Sequence, residues 1–517
     1  MPSQVDTGNP PQDNSNENSN SNPIKVHIGV FFDGTNNSRI NIKEYNIYKS
    51  NKKLQSTPRT EFYNANDSFK NDFSNVAKMY QFYKRKDKCY AVYVEGIGTA
   101  PRDDMDFIKN CSYADNRYSD STMGSAVGVG VYGVNAKVER GCDMVIRKIK
   151  TAVKDEENYT LQLSVDVFGF SRGAAAARRF TSCLKEKKGD LLTSSKFSKV
   201  ASTIVDKLTS EKTKSKAPEK IKGYLDKATE LRKEEEEKFK VCLQDWLDEN
   251  EIKLDGDVEV TFLGLYDTVS SYGFAFDDDV KELALDISSQ VKSTFQICAA
   301  DEYRRNFSLT LIESASNGNF IILPGAHSDI GGGYTNNMKE NFILSEEIVC
   351  TTPYPMGTYY FAGVPAYQKV THYAGNKSRD LLLDEGWFTL EDEKIGYRII
   401  GNRYSVIPLR IMMKKKGLSN FNAYKETDLK KGDDESIANA YKLFVDNEKK
   451  LFAFEGGKGK KEIVRHINLS KEEKNKLKRL YNKFLHLSVK STFLEASKDC
   501  LVHGPQTSNI RKIIEDK

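Results

Sequence analysis

The sequence predicts an α/β fold, a mostly parallel sheet flanked by helices, with a helical insertion and a less regular C-terminal region. Three observations predict it. Five short segments rich in Val, Ile, Phe and Tyr have strand length and are nearly continuous in apolar residues, which is the pattern of strands buried on both faces. Helical patterns over residues 135–153 and 173–184 alternate with them, as in a sheet with right-handed crossovers. Each of the five also ends in a Gly-rich or polar motif, and open parallel sheets bind ligands at the carboxyl ends of their strands.

In chain order, residues 1–23 are rich in Asn, Ser and Pro and carry no aromatic residue, so a disordered tail is expected. That tail has no charged-then-apolar pattern, so no secretory signal is expected either. The five strands are IKVHIGVFF before Asp33, CYAVYV before Glu95, LQLSVDVF before Gly169, VEVTFLGLY before Asp267 and NFIIL before Pro324. They define a catalytic domain over residues 24–340. Residues 185–253 interrupt the alternation with Lys/Glu-rich stretches and spaced apolar residues such as Phe239, Leu243 and Trp246, and read as a charged helical insertion. Residues 341–517 are expected to form a partly helical C-terminal region, a lid or a membrane-contacting flap.

With 517 residues, the chain exceeds the size at which one core stops growing, so more than one unit is expected. A net charge of +5, from 78 basic and 73 acidic residues, argues against a nucleic-acid partner, which needs a concentrated basic face. The eight cysteines are scattered singly, with no C-x-x-C pair and no Cys/His cluster at zinc spacing, so no metal site is expected. Such cysteines fit synthesis in a reducing cytosol. No apolar run approaches the length of a membrane span, so contact with a membrane would be made from its surface.

Gly169-Phe170-Ser171-Arg172-Gly173 fits G-x-S-x-G, between the apolar strand LQLSVDVF and the Ala-rich helix AAAARRF. That context places Ser171 on a strained strand-to-helix turn, where Gly169 and Gly173 let neighbouring backbone pass without a Cβ. A serine nucleophile needs a base, and the base an orienting acid. Asp267 follows a strand in Tyr266-Asp267-Thr268-Val269, and His327 follows another in Pro324-Gly325-Ala326-His327-Ser328-Asp329. The order Ser171, Asp267, His327 is that of an α/β-hydrolase triad. His486 is the alternative base, with His372, His466 and His503 also in contention, while His27 reads as a packed core histidine. Asp329 is the rival acid, placed to shape the loop. Oxyanion donors are expected from the Arg172 N–H and from the Asp33-Gly34-Thr35 loop, which is equally consistent with a simple Asx turn.

Taken together, FFDGTNN, YVEGIGT, GFSRGAA, LYDTV and PGAHSDIGGGY, in this order across residues 24–334, resemble the α/β-hydrolase-like family that includes the type VI secretion phospholipase effectors of the Tle class. The resemblance implies a bacterial antibacterial toxin made in the cytoplasm and injected into a rival's periplasm to hydrolyse membrane phospholipids. It places nucleophile, acid and base on Ser171, Asp267 and His327, and requires no cofactor. It implies three partners: a phospholipid membrane surface, an immunity protein and delivery components of the secretion machine. The segment between Ser171 and Asp267 is long for the family because of the charged insertion, and the resemblance does not extend into the C-terminal third.

Three other readings remain. A carboxylesterase or thioesterase acting on a soluble ester would use the same triad. A non-catalytic binding module could sit on the same scaffold. A dinucleotide enzyme would use Gly128-Val129-Gly130-Val131-Tyr132-Gly133, which fits G-x-G-x-x-G but follows a polar stretch where such a site needs a buried strand.

Overall fold

In the computed structural model the protein is described over residues 23–102, 119–120, 132–184, 239–270, 283–287, 289, 291–302, 304, 307–343, 348–349, 369–370, 395–422, 435–446, 451–457, 461–465, 469–486, 511 and 513–514. The expected tail, most of the charged insertion and Gly128–Gly130 of the G-x-G-x-x-G stretch lie outside these residues.

The main sheet contains β1 (Ile24–Phe32), β2 (Cys89–Val94), β3 (Leu161–Phe170), β4 (Glu259–Tyr266), β5 (Thr294–Ala299) and β7 (Gly318–Leu323); a short β6 (Leu309–Thr310) lies outside it. Its order is β2-β1-β3-β4-β5-β7, and every neighbouring pair is parallel. The five expected strands are all present. The sixth, β5 (TFQICA), has its apolar run broken by Gln296, a buried residue whose Nε2 donates to Thr310 O at 2.9 Å.

The crossover after β1 runs to β2 on one side, and that after β3 runs to β4 on the other. The loops after β1 and β3 therefore splay apart around a crevice, the usual ligand site of a doubly wound sheet. Register brings the strand ends level: Phe32 pairs with Val94 and Gly169, Phe170 with Tyr266, and Ala299 with Leu323.

Helices α1 (Asn75–Phe82), α2 (Val134–Ala152), α3 (Arg172–Ser182), α4 (Leu243–Glu249), a short α5 (His327–Gly331), α6 (Val406–Lys416) and α7 (Lys471–Phe484) surround the sheet. Alternation along the strands sorts the core. Val26, Ile28, Val30, Val165 and Val167 face α2, α3 and α4, with Val138, Phe180 and Leu247 in the same buried cluster. Phe31, Phe168, Phe170 and Phe262 face the other way, toward Met79 of α1 and Met412 of α6. Full burial of each such side chain contributes about 1.5–3 kcal/mol.

Residues of the C-terminal region join this core. Tyr404, Ile407, Met412, Phe444, Leu480 and Phe484 belong to the same buried cluster as the sheet's aromatic face. These described C-terminal residues therefore pack with the aromatic face of the sheet. Of the insertion, α4 is helical as expected and buries Leu243 and Leu247. No helix among the described residues is long and apolar enough to cross a membrane.

Candidate active site

Strand β3 runs into α3 through Ser171, whose φ of 59° and ψ of −130° lie in a region that favours glycine. Such a conformation costs about 1–3 kcal/mol and persists only where surroundings enforce it. Two backbone bonds do so: Ser171 N–H donates to Tyr266 O at 3.0 Å, and Val269 N–H donates to Ser171 O at 3.4 Å. The serine turn is thereby tied to the loop that carries Asp267. Both motif glycines are sterically required. A Cβ on Gly169 would lie 2.5 Å from Ala174 Cα, and one on Gly173 would lie 2.1 Å from Asp33 O.

His327 opens α5, directly after β7. Its Nδ1 lies 2.6 Å from Asp267 Oδ2, and both side chains are buried. An ionised carboxylate only accepts, so Nδ1 carries the proton and Nε2 is left as the acceptor. The imidazole ring lies between two aromatic rings, Phe170 at 4.6 Å between centroids and Phe307 edge-on at 5.0 Å. Phe170 immediately precedes Ser171, so the ring sits beside the serine turn. Burial pushes the His327 pKa down, opposed by its bond to Asp267.

Asp267 itself has φ of 43° and is fully buried. Its Oδ1 accepts from Ala299 N–H at 2.8 Å and from Arg511 Nη1 at 2.7 Å; its Oδ2 accepts from Arg511 Nη2 at 2.8 Å. Burial alone would raise its pKa, but the Arg511 charge and the His327 and Arg511 bonds hold it below the usual carboxylate range. A second pair flanks the histidine. Glu302 accepts His327 N–H at 3.2 Å and takes Arg304 in a fork, Nε at 2.9 Å and Nη2 at 2.8 Å. Despite burial, Arg304 keeps the Glu302 carboxyl below its ordinary pKa.

The loop after β1 meets the serine turn. Arg172 Nε donates to Thr35 Oγ1 at 3.0 Å. Gly34 N–H donates to Asp33 Oδ1 at 2.7 Å, within the loop from which an oxyanion donor is expected. Asp33 also accepts from Tyr93 O–H at 2.6 Å, yet burial still pushes its pKa up to about 6.

Asp329 and His486 form a separate pair. Asp329 Oδ2 accepts from Ala326 N–H and from His486 N–H, both at 2.9 Å, and its Oδ1 lies 2.7 Å from His486 Nδ1. Asp329 thus shapes the histidine loop, and His486, stacked on Tyr334 at 4.0 Å, is oriented by Asp329 and not by Asp267. His372, His466 and His503 lie outside the described residues.

A second Ser–His–Asp set offers a control on the first. His27 Nδ1 lies 2.7 Å from Ser164 Oγ, and its Nε2 lies 3.0 Å from Asp166. Ser164, however, sits in mid-strand with β1 and β4 on either side, without a turn to present its hydroxyl. Asp166 is held by Tyr83 O–H at 2.6 Å and Lys416 Nζ at 2.6 Å. That cluster is a polar network between strands in which His27 is only half-buried, not the packed core histidine expected. Among the described residues, no three His, Cys, Asp or Glu side chains converge as a metal site would require.

Sequence reasoning missed Arg511, Glu302 and Arg304. The charged run Asp301-Glu302-Tyr303-Arg304-Arg305 after an apolar stretch was a signal for Glu302 and Arg304, and no local pattern marked Arg511. A serine on an enforced turn beside an imidazole tied to a buried carboxylate is the equipment of covalent acyl transfer.

The sequence model for type VI secretion Tle1-like phospholipase effectors, catalytic domain, matches residues 27–349, more than half of the chain. No curated protein matches. Among solved structures, the Tle1 effector bound to the VgrG spike of the type VI secretion system is similar at 19% identity. It covers 95% of this chain and 94% of that chain, with a TM-score of 0.48. An uncharacterised protein from Pseudomonas aeruginosa is similar at 16% identity, over 60% of this chain and 42% of that chain, with a TM-score of 0.28. Both are too distant to inform the site. On the catalytic-domain match, this chain belongs to the Tle1-like phospholipase effectors of the type VI secretion system.

Proposed function

We propose that this effector hydrolyses acyl esters of membrane phospholipids, as a phospholipase A, through a Ser171–His327–Asp267 triad. The observation that carries the reading is the 2.6 Å bond from the His327 imidazole to buried Asp267, beside a serine held at positive φ. His327 Nε2 takes the Ser171 proton as Oγ attacks the acyl carbonyl. The resulting oxyanion accepts from the N–H groups of Arg172, in the first turn of α3, and of Thr35. Collapse breaks the ester bond, and His327 returns the proton to the departing lysophospholipid oxygen. Water, deprotonated by His327, then cleaves the acyl-enzyme and releases the fatty acid, regenerating Ser171.

The family further supports synthesis in a bacterial cytoplasm, delivery into a target cell's periplasm and neutralisation by an immunity protein. The similar effector's VgrG complex makes a spike protein the natural delivery partner to test. The charged insertion would rest on the bilayer through its Lys residues.

The test is fatty-acid release from mixed phospholipid vesicles. Ser171→Ala, Asp267→Asn and His327→Ala should each lower it by roughly 1,000-fold or more. His486→Ala should not, and a loss there with His327→Ala active would transfer the base to His486. Hydrolysis of a short-chain soluble ester without vesicle hydrolysis would leave the triad and overturn the lipid substrate. Failure of Ser171 to react with a fluorophosphonate would instead favour a binding module.

A further inference from the structure

The last strand among the described residues reaches the acid of the proposed triad. β8 (Ile513–Ile514) pairs in parallel with β6, and Leu311 N–H donates to Ile514 O at 2.8 Å. This pairing delivers Arg511, whose side chain is 2% exposed, onto Asp267. Its guanidinium is engaged at all three nitrogens. Nη1 donates to Asp267 Oδ1 at 2.7 Å and Ala299 O at 3.0 Å, Nη2 to Asp267 Oδ2 at 2.8 Å, and Nε to Phe307 O at 2.9 Å.

A planar fork on both oxygens fixes the plane of a carboxylate, which a point charge cannot do. The oxygen that meets Nη2 is also the one that meets His327 Nδ1. Phe307, whose carbonyl Nε holds, presses its ring edge-on to the same imidazole. One guanidinium therefore braces the acid and one of the two rings that confine the base. A buried arginine at this point is explained by what it does to Asp267.

We propose that Arg511 is a positioning residue of the triad, so that full hydrolysis requires the C-terminal end of the chain to be docked on the catalytic domain. This deepens the triad reading and rests on it. Without the fork, Asp267 turns away from Nδ1 for part of the time and His327 samples the wrong tautomer. Asp267 would also share its charge with His327 alone, favouring the imidazolium, so the acid limb of the pH–rate profile should move to higher pH.

The experiment uses the full chain and vesicle hydrolysis, with Ser171→Ala as reference. Arg511→Ala should lower kcat on the order of 100-fold with KM little changed. It should also raise the acid limb, and millimolar methylguanidinium should restore part of its kcat but none of that of Ser171→Ala. Arg511→Lys keeps a cation without the fork and should fall between wild type and Arg511→Ala. Wild-type kcat in a folded Arg511→Ala or Arg511→Lys would overturn the proposal, as would a loss in Arg511→Ala that neither moves the acid limb nor responds to methylguanidinium. Should Arg511→Ala fail to fold, Arg511→Lys decides alone, with unchanged melting temperature and lowered kcat expected. If Ser171→Ala remains active, the triad reading fails, and that outcome is distinct from any result at Arg511.

Discussion

At the scale of single residues, the serine turn holds a conformational strain that its chemistry explains. At φ 59° Ser171 gains nothing for stability from its side chain, whereas glycine would adopt this backbone freely. Ser171→Gly should therefore raise stability by about 1 kcal/mol in urea denaturation while abolishing lipid hydrolysis. A stabilising substitution that also inactivates would separate strain kept for function from strain the fold needs. Gly173→Ala should act in the opposite direction. Its Cβ would meet the backbone oxygen of Asp33, which no rotamer change can move, so a loss of about 3 kcal/mol or more is expected. Both residues were legible in the sequence, because G-x-S-x-G between an apolar strand and an Ala-rich helix states a local geometry. The loop after β1 was half legible: FDGTNN marked a turn, but the bond from Gly34 N–H to Asp33 could not be read from residue types that favour turns in any case.

At the scale of elements, two motif loops lock together, and the lock is buried. A Cβ on Gly96 would fall 1.7 Å from Gly34 O; Asn36 N–H donates to Ile97 O at 3.0 Å, and Gly96 N–H to Asn37 O at 2.8 Å. Glu95 anchors this pair of loops to α2 through Lys137 Nζ at 3.0 Å, with both side chains 2% exposed. Lys137 completes its bonding on Thr99 O at 2.7 Å. Lys137→Met leaves buried Glu95 with Arg140, 3.0 Å away, as its remaining cation, so the loss should stay below the roughly 3–5 kcal/mol of a fully unpaired buried charge. Combining it with Glu95→Leu should recover part of that loss, which a double-mutant cycle in urea would measure. Because the same loops carry Thr35 to the serine turn, lipid hydrolysis should fall in Lys137→Met as well. Elements of this kind were readable where the sequence repeats a pattern: five of six sheet strands, and the helices α2 and α3, follow apolar patterns. β5 was not, since a buried Gln interrupts it, and its neighbour Thr310 supplies the missing partner only in three dimensions. Arg511 was invisible for a related reason, as it lies 244 residues from Asp267 and no local pattern spans that distance.

At the scale of the whole molecule, the C-terminal region shares the core of the catalytic sheet, and several buried charges near that junction make stability depend on pH. Asp166 bonds His27 and Lys416, which overcome its burial and hold its pKa near about 2; Asp267 and Glu302 also lie below their ordinary values. A carboxylate whose folded pKa is depressed contributes stability above its unfolded value, and that contribution fades as pH falls toward the folded one. For these three groups the loss begins near pH 4 and deepens below it. His327 acts in the same direction but in a higher window. Its folded pKa is below the ordinary 6.5, so its neutral form stabilises the fold above that pH and the contribution declines as acid protonates the unfolded chain. Asp33 opposes them. Raised to about 6 from 3.8, it is better accommodated protonated, and stability from this group increases as pH falls through that interval. The melting temperature should therefore respond less between pH 7 and 5, where His327 and Asp33 act in opposite directions, than below pH 4, where it should drop steeply. Asp33→Asn should remove the compensation and give a fall that starts near pH 6.5, whereas His327→Gln should give a slight rise on acidification to pH 5. Thermal melts of the three proteins between pH 3 and 8 would check this, and a steep loss for wild type already at pH 6 would contradict it. The activity profile should share its upper window: vesicle hydrolysis should lose its base with an apparent pKa below 6.5, while the fold is still intact.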